Sequence, residues 1–277
     1  MLLCRSLLIL SLLAPATSHA FEMVNDASFG GSLAQDAIIG GEPVGSNSRV
    51  HKMTVLLELT IRRRDGSSGD GTCTGTLIKR DLVLTAAHCV YSDRSEYTVL
   101  KVDVTLGSGR VITAAGWKFN PAYKRIVDSA GSTTMLRPIN DVALLKLSEP
   151  VGADSLIARL PTSAMSEGAT EEMVVAGFGQ RLRNDRSSNG ILYFAWTEGK
   201  LKNVVDNQDY QLEMTGVQPC RGDSGGPLLR ASDSAPLVLM GVTSHVTGNC
   251  EGEARAISVA HQVPWIRRAA FELKSSL

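Results

Sequence analysis

The stretch Cys220-Arg221-Gly222-Asp223-Ser224-Gly225-Gly226-Pro227 places a serine among glycines, after an aspartate and before a proline that ends the turn. Glycine has no Cβ and tolerates positive φ, so the segment can turn tightly and aim successive backbone N–H groups into one small space. Such a space suits an oxyanion. The serine hydroxyl beside it is a poor nucleophile at neutral pH unless a base activates it and an acid orients that base.

Two other stretches carry a base and an acid. They are Thr85-Ala86-Ala87-His88-Cys89 and Asn140-Asp141-Val142-Ala143-Leu144-Leu145. With the three motifs in the order histidine, aspartate, serine, the chain resembles the trypsin-like (chymotrypsin-fold) serine endopeptidases from residue 38 to its C-terminus. The resemblance implies an all-β fold of two packed antiparallel Greek-key β-barrels with a C-terminal helix.

The resemblance also implies a role for each residue in peptide-bond hydrolysis through an acyl-enzyme. Ser224 is expected to attack the carbonyl, His88 to accept and later donate the proton, and Asp141 to orient the imidazole. The backbone N–H groups of Gly222 and Ser224 are expected to form the oxyanion hole. The glycine permits the close approach.

The stretch Ile38-Ile39-Gly40-Gly41 resembles the mature N-terminus of the family, so cleavage before Ile38 is expected to activate the protein. There, a freed α-amino group pairs with the aspartate before the nucleophile, here Asp223; either charge buried alone would cost several kcal/mol. Cleavage before Ile38 then acts as a switch. Family zymogens usually carry Arg or Lys before this bond, whereas this chain has Gln35-Asp36-Ala37, so we expect a different activating protease or autolysis.

The N-terminus reads as a signal peptide over residues 1–20, with Arg5, an apolar run at 7–13 and a small-residue cleavage site at 18–20. The apolar run is too short for a stable membrane anchor. A polar propeptide is expected over 21–37. Residues 38–277 then form the peptidase domain, with an N-terminal barrel over about 38–148 and a C-terminal barrel plus helix over about 149–277. The protein is expected to be secreted, to the outside of the cell or the periplasm.

Four cysteines remain after removal of the signal, an even number in a chain bound for an oxidising compartment. Four cysteines allow three connectivities. The resemblance selects Cys73–Cys89 and Cys220–Cys250. A zinc site is the competing use, but the C-x-x-C spacing is missing.

Short strands separated by Gly, Asp, Ser and Arg clusters indicate antiparallel β-structure. The strands are predicted at 53–61, 76–78, 82–85, 99–106, 111–114, 173–179, 192–196, 210–214, 237–244 and 256–259. Helical spacing of apolar residues predicts a closing helix over 262–273.

The formal net charge is zero, so nothing in the composition recruits nucleic acid or an acidic membrane surface. We expect protein or peptide substrates, an activating protease, protein inhibitors as further partners, and a monomer. No cofactor and no metal are expected: residues 106–111 lack the acidic pair of the family's calcium loop, and His51, His245 and His261 have no ligand spacing.

The family resemblance implies that Gln218, Ser244 and Val246 form the substrate pocket, with Gln218 at its floor and Val246 in its wall. Aspartate at the floor position gives trypsin's preference for Arg and Lys, and Gln218 stands there; an amide cannot offset a buried cation. Val246 replaces a glycine of the wall and narrows the pocket, so small or medium uncharged residues are expected. An acidic preference served by Arg221 or Arg255 is the alternative.

Two loops of the peptidase domain also differ from an ordinary short turn. The basic turn 62–64 is a hairpin tip or an exosite for acidic partners, with the solvated tip favoured. The segment 121–141 is longer than in trypsin and is expected to border the cleft on the side upstream of the cut bond.

A catalytically inactive binding protein on the same scaffold is the other class of function.

Overall fold

The computed structural model describes most of the chain from residue 38 onward: residues 38, 39, 41–92, 96–128, 135–182, 185, 189–204, 209–230, 236–247 and 249–275. The signal peptide and propeptide predicted over residues 1–37 lie outside the described residues. Within the described part of the chain, no helix is long and apolar enough to cross a membrane.

Six antiparallel strands close the first barrel in the order β2-β3-β4-β9-β6-β5. Their bounds are β2 Thr54–Arg63, β3 Ser68–Lys79, β4 Leu82–Thr85, β5 Tyr97–Thr105, β6 Val111–Phe119 and β9 Ala143–Leu147. Inward-facing aliphatic side chains such as Leu57, Leu84 and Val104 are fully buried and form its core. Burial alternates along parts of β5 and β6, whereas all of β4 and most of β9 are buried, and the buried side chains fill the barrel interior and stabilise the closed sheet.

The second barrel contains six strands in the order β11-β10-β13-β14-β15-β12, closed by pairing of β11 with β12. The short strand β1 adds to the free side of β11. The bounds are β1 Glu42–Pro43, β10 Thr170–Gly177, β11 Tyr193–Val204, β12 Asp209–Thr215, β13 Pro227–Arg230, β14 Val238–Val246 and β15 Ala254–Ser258.

In the part of the chain that the structure describes, three helices and one hairpin lie outside the barrels. The helices are α1 Arg49–Met53, α2 Ala87–Val90 and α3 Val259–Glu272, and the hairpin pairs β7 Lys124–Asp128 with β8 Met135–Ile139. This hairpin occupies much of the segment 121–141 that the sequence presented as a polar loop. The stretch 129–134 at its tip lies outside the described residues.

Each end of the described chain packs on the other half of the molecule. Ile38 is fully buried in the core of the second barrel. The domain boundaries predicted from the sequence had assigned it to the first barrel. The C-terminal helix α3 leads Ser275 back to the first barrel, where its hydroxyl lies 2.9 Å from Asp81 Oδ1. The two halves are therefore held together at both ends.

The predicted fold class is confirmed: two six-stranded antiparallel barrels and a C-terminal helix. The predicted strands fall within or overlap strands of the structure, and the predicted helix 262–273 corresponds to α3 with an earlier start. The sequence prediction missed β9 and β13, which follow the aspartate and serine motifs. It also missed the hairpin β7–β8.

Candidate active site

His88 and Asp141 come from the ends of neighbouring strands. His88 lies in α2 just after β4, and Asp141 lies just before β9; antiparallel pairing of Thr85 with Ala143 brings these ends to one edge of the first barrel. The His88 Nδ1 atom is 2.7 Å from Asp141 Oδ2, and the His88 backbone N–H donates to Asp141 Oδ1 at 2.9 Å. Because Nδ1 faces the carboxylate, Nε2 is the ring nitrogen left to react with another group.

Ser244 also contacts this pair. Ser244 is buried near the end of β14, and its hydroxyl donates to Asp141 Oδ2 at 2.6 Å. The sequence prediction had assigned Ser244 to the substrate pocket wall, and its partner is 103 residues away. The structure thus assigns its side chain a contact with the carboxylate, which the local sequence did not signal.

The electrostatics favour an ionised carboxylate beside an imidazole that gains a proton readily. Burial opposes ionisation of Asp141, which has no exposed surface, but the charge of His88 and the hydrogen bonds from His88 and Ser244 outweigh it and lower the pKa of the carboxyl. Burial works against the charged form of His88 too, but the Asp141 charge raises the pKa of the imidazole above its ordinary value. The side chain of His88 remains 31% exposed, so solvent and ligands can reach it.

The serine loop is built from backbone that only glycine adopts without strain. Gly222 has φ +105° and Gly225 has φ +84°. A Cβ on Gly222 would lie 2.8 Å from the Cα of Gly179, and one on Gly225 would collide with Thr85 Oγ1. Ser224 between them is partly exposed. The glycine pattern of the motif therefore follows from the geometry of this loop.

The carbonyl oxygen of Ser224 ties the loop to the first barrel. It accepts a hydrogen bond from the Thr74 N–H at 2.8 Å and lies 3.7 Å from Cys89 Sγ. Cys89 is the residue after His88. Ser224 is thereby brought next to the helix that carries His88.

Both predicted disulfides are present. Cys73–Cys89 joins β3 to α2, and Cys220–Cys250 joins the start of the serine loop to the segment before β15. Each bridge ends within four residues of His88 or Ser224. They confirm the pairing that the family resemblance selected.

Asp223 is fully buried beneath the serine loop. Its carboxylate accepts backbone N–H groups from Gly179 and Cys220, both at 2.8 Å, and among the described residues it has no cationic partner. Burial raises the pKa of Asp223 to about 6 although both hydrogen bonds oppose that shift. Burial therefore favours the neutral form of this carboxyl.

The segment that begins with Ile38 lies against the strand end that leads to the serine loop. The Ile39 N–H donates to the Gln218 carbonyl at 3.1 Å, and the buried Ile38 packs with Val217 and Met214 in one core cluster. Ile38 has φ +46°, a left-handed conformation that is strained for a β-branched residue.

The remaining predicted pocket residues lie on the second barrel. Gln218 is partly buried, and Val246 is partly buried at the end of β14 opposite Ala254. Arg221 is exposed on the serine loop. Arg255 is 5% exposed, and its guanidinium pairs with Glu253 and, at 3.4 Å, with Glu213. Its charge is therefore balanced inside the protein, which weakens the case for Arg255 as a receptor for acidic substrates.

One group of described residues brings three possible metal ligands within reach of each other, Cys73, His88 and Cys89. The two cysteines are bonded to each other, and zinc binds the thiolate form. This group does not offer a metal the sulfur ligands it needs.

Comparisons with known proteins agree with this architecture. A family model described as Trypsin matches residues 38–266. Chymase of Canis lupus familiaris is 29% identical over 257 residues, covering 87% of this chain and 92% of the chymase. Neutrophil elastase of Mus musculus is 27% identical over 229 residues, covering 80% of this chain and 77% of the elastase. A solved collagenase structure superposes with a TM-score of 0.60 at 23% identity, covering 83% of this chain and 97% of that chain.

Proposed function

This chain belongs to the trypsin family of serine endopeptidases, and on that premise we propose that it is a secreted endopeptidase that uses Ser224, His88 and Asp141. The observation that carries this proposal is the short contact between His88 Nδ1 and a fully buried Asp141 that also accepts the Ser244 hydroxyl. That arrangement orients the imidazole and stabilises its cation. The adjoining glycine loop supplies the nucleophile.

In the proposed reaction, the Ser224 hydroxyl attacks the peptide carbonyl while His88 Nε2 takes its proton. The imidazolium is stabilised by Asp141, and it then gives the proton to the leaving amine. A water molecule hydrolyses the acyl-enzyme by the same proton path in reverse. Asp141 stays ionised throughout, which fits the direction of its pKa.

The negative oxygen that forms during each step would be bound by the backbone N–H groups of Gly222 and Ser224. One such donor is worth about 100- to 1,000-fold in kcat in comparable sites. The positive φ of Gly222 supports this assignment, because it fixes the backbone in a conformation that other residues rarely adopt.

Activation is proposed to follow cleavage before Ile38. The new α-amino group would pair with Asp223, whose buried carboxylate already has two backbone donors but no cation among the described residues. Supporting this, the Ile38 segment lies next to Gln218, five residues before Asp223. Forming the ion pair relieves the cost of an unpaired buried charge.

The proposed substrates are proteins or peptides cut after small or medium uncharged residues. Gln218 in place of an acid at the pocket floor disfavours Arg and Lys. The balanced charge of Arg255 argues against the acidic alternative, which leaves the exposed Arg221 as its sole support among the residues considered.

The test begins with the protein expressed from Phe21, alongside the variant Ser224→Ala. The N-terminus is sequenced with time while a peptide library is cleaved and analysed by mass spectrometry. A new terminus at Ile38 together with Ser224-dependent cleavage after uncharged residues is expected. A terminus at Ile38 without any cleavage would instead indicate an inactive binding protein on this scaffold.

A further inference from the structure

Thr74 connects the first barrel to the serine loop with both its backbone and its side chain. It lies on β3, has no exposed surface and follows Cys73 directly. Its hydroxyl donates to the Gly222 carbonyl at 2.8 Å and accepts the Phe178 N–H at 3.0 Å. Its own N–H donates to the Ser224 carbonyl at 2.8 Å.

Thr74 and Gln180 together fix the peptide groups on both sides of Gly222. The Arg221 carbonyl accepts the Gln180 N–H at 2.9 Å, and the Gly222 carbonyl accepts the Thr74 hydroxyl. In a planar trans peptide the N–H points opposite to the preceding carbonyl. Holding the Arg221 carbonyl therefore aims the Gly222 N–H, and holding the Gly222 carbonyl fixes the rotation on the other side of its Cα.

A glycine at this position needs such support. Without a Cβ, Gly222 can exchange between several backbone conformations that would turn its N–H away. The hydroxyl of Thr74 restrains it from one side, while the Thr74 N–H holds the carbonyl of Ser224 two residues further on.

The contact also links the loop to His88. Cys73, next to Thr74 on the same strand, is bonded to Cys89, next to His88. One strand thus positions the imidazole through a disulfide and the serine loop through a threonine. Small displacements between such groups have large effects on rate.

We propose that Thr74 is a positioning residue: its hydroxyl holds the Gly222 carbonyl and so keeps the Gly222 oxyanion donor in register with His88, while its backbone N–H holds the Ser224 carbonyl. The inference rests on the proposed peptidase function and adds to it a residue from the opposite barrel. Thr74 itself touches no reacting atom.

The test uses the protein cleaved before Ile38, with rates expressed per active site titrated by a fluorophosphonate. Thr74→Val removes the hydroxyl at nearly constant shape and leaves the Gly222 carbonyl and the Phe178 N–H buried without their partner. We expect kcat to fall about 10- to 100-fold while KM changes little, because the oxyanion donors act mainly in the transition state. Binding of a peptide aldehyde, whose adduct carries the oxyanion, should weaken by a similar factor.

Two further variants separate positioning from general damage. Thr74→Ser keeps the hydroxyl and should restore kcat to near the unmodified value. Thr76→Val is the matched control: Thr76 lies two residues along the same strand, is 1% exposed, and its hydroxyl has no hydrogen-bond partner among the described residues. It faces the same side of the strand and should leave kcat and KM unchanged.

The inference is overturned if Thr74→Val keeps full kcat, if Thr76→Val loses as much, or if Thr74→Ser fails to recover activity. Should Thr74→Val not fold, Thr74→Ala takes its place and is expected to lower kcat in the same direction. An unmodified protein that cleaves nothing refutes the peptidase function and this inference together. Activity in the unmodified protein with no effect at Thr74 refutes this inference alone.

Discussion

Replacing Asp223 by asparagine should change how the stability of the uncut chain depends on pH. The pKa of Asp223 is raised to about 6 by burial, against 3.8 for an ordinary aspartate. Each pH unit between these values corresponds to about 1.4 kcal/mol, so an ionised Asp223 destabilises the folded uncut chain by roughly 3 kcal/mol. Asparagine carries no charge and avoids this cost.

The effect of pH on stability depends on how many protons Asp223 binds in the folded and unfolded chains. Between pH 3.8 and about 6 the folded chain binds more protons at Asp223 than the unfolded chain does, so stability contributed by the neutral group is present at low pH and lost as pH rises through about 6. The free energy of unfolding of the unmodified chain, minus that of Asp223→Asn, should therefore fall by about 3 kcal/mol from pH 3.5 to pH 7.

The assay is urea denaturation of both chains, expressed from Phe21 and carrying Ser224→Ala to prevent self-cleavage. Other titrating groups are common to both chains and cancel in the difference; they include Asp209, whose pKa burial raises to about 6, and His245, whose pKa burial lowers to about 4. A difference that stays flat with pH would refute the buried, unpaired state of Asp223.

The same comparison in chains that begin at Ile38 tests activation. If the new α-amino group pairs with Asp223, the pKa of the carboxyl falls below its ordinary value. The stability difference between the unmodified chain and Asp223→Asn should then rise with pH instead of falling. A slope of unchanged sign would contradict the proposed ion pair.

Three further predictions concern the site and its supports. Ser244→Ala removes a hydrogen bond to the charged Asp141, so the free energy of unfolding at pH 7 should fall by roughly 1.5–3 kcal/mol. Because the pKa of Asp141 is lowered, this loss should shrink only in strong acid, where Asp141 becomes protonated, and a loss that stays constant through the titration of Asp141 would contradict this. Gln218→Asp should shift cleavage in a peptide library toward Arg and Lys, and an unchanged profile would remove Gln218 from the pocket floor. Paired replacement of Cys220 and Cys250 by serine should lower the free energy of unfolding by about 2–4 kcal/mol in urea denaturation, and an unchanged value would contradict a stabilising role for this bridge.

Local sequence was sufficient for the elements that depend on local pattern. Alternating apolar residues located most strands, and the helical spacing of Val263, Trp265, Ile266 and Phe271 located the last helix, although Phe271 itself is 82% exposed. The disulfides followed from resemblance to a family, since cysteine spacing alone left three pairings open. The glycines of the serine loop were readable because positive φ restricts the choice of residue.

What local sequence could not supply were the partners of buried hydroxyls. The Ser244 and Thr74 hydroxyls bond to residues 103 and 148 positions away, and serine and threonine are ordinary in strands. The hairpin β7–β8 was missed because a polar stretch separates its two strands, and this stretch led us to predict a loop. The placement of Ile38 on the second barrel likewise follows from three-dimensional contacts.

Each end of the described chain contacts the opposite barrel, and this arrangement affects how the protein unfolds. The segment from Ile38 to Val44 joins the second barrel through Gln218 and Leu192, although the first barrel follows it along the chain. The end of α3 returns to the first barrel at Asp81. Neither barrel can unfold without losing contacts with a terminal segment that packs on it from the other half of the chain, so the barrels should unfold in a single cooperative transition. Fragments made by cutting the 148–169 connection should stay associated until the contacts of both terminal segments are lost.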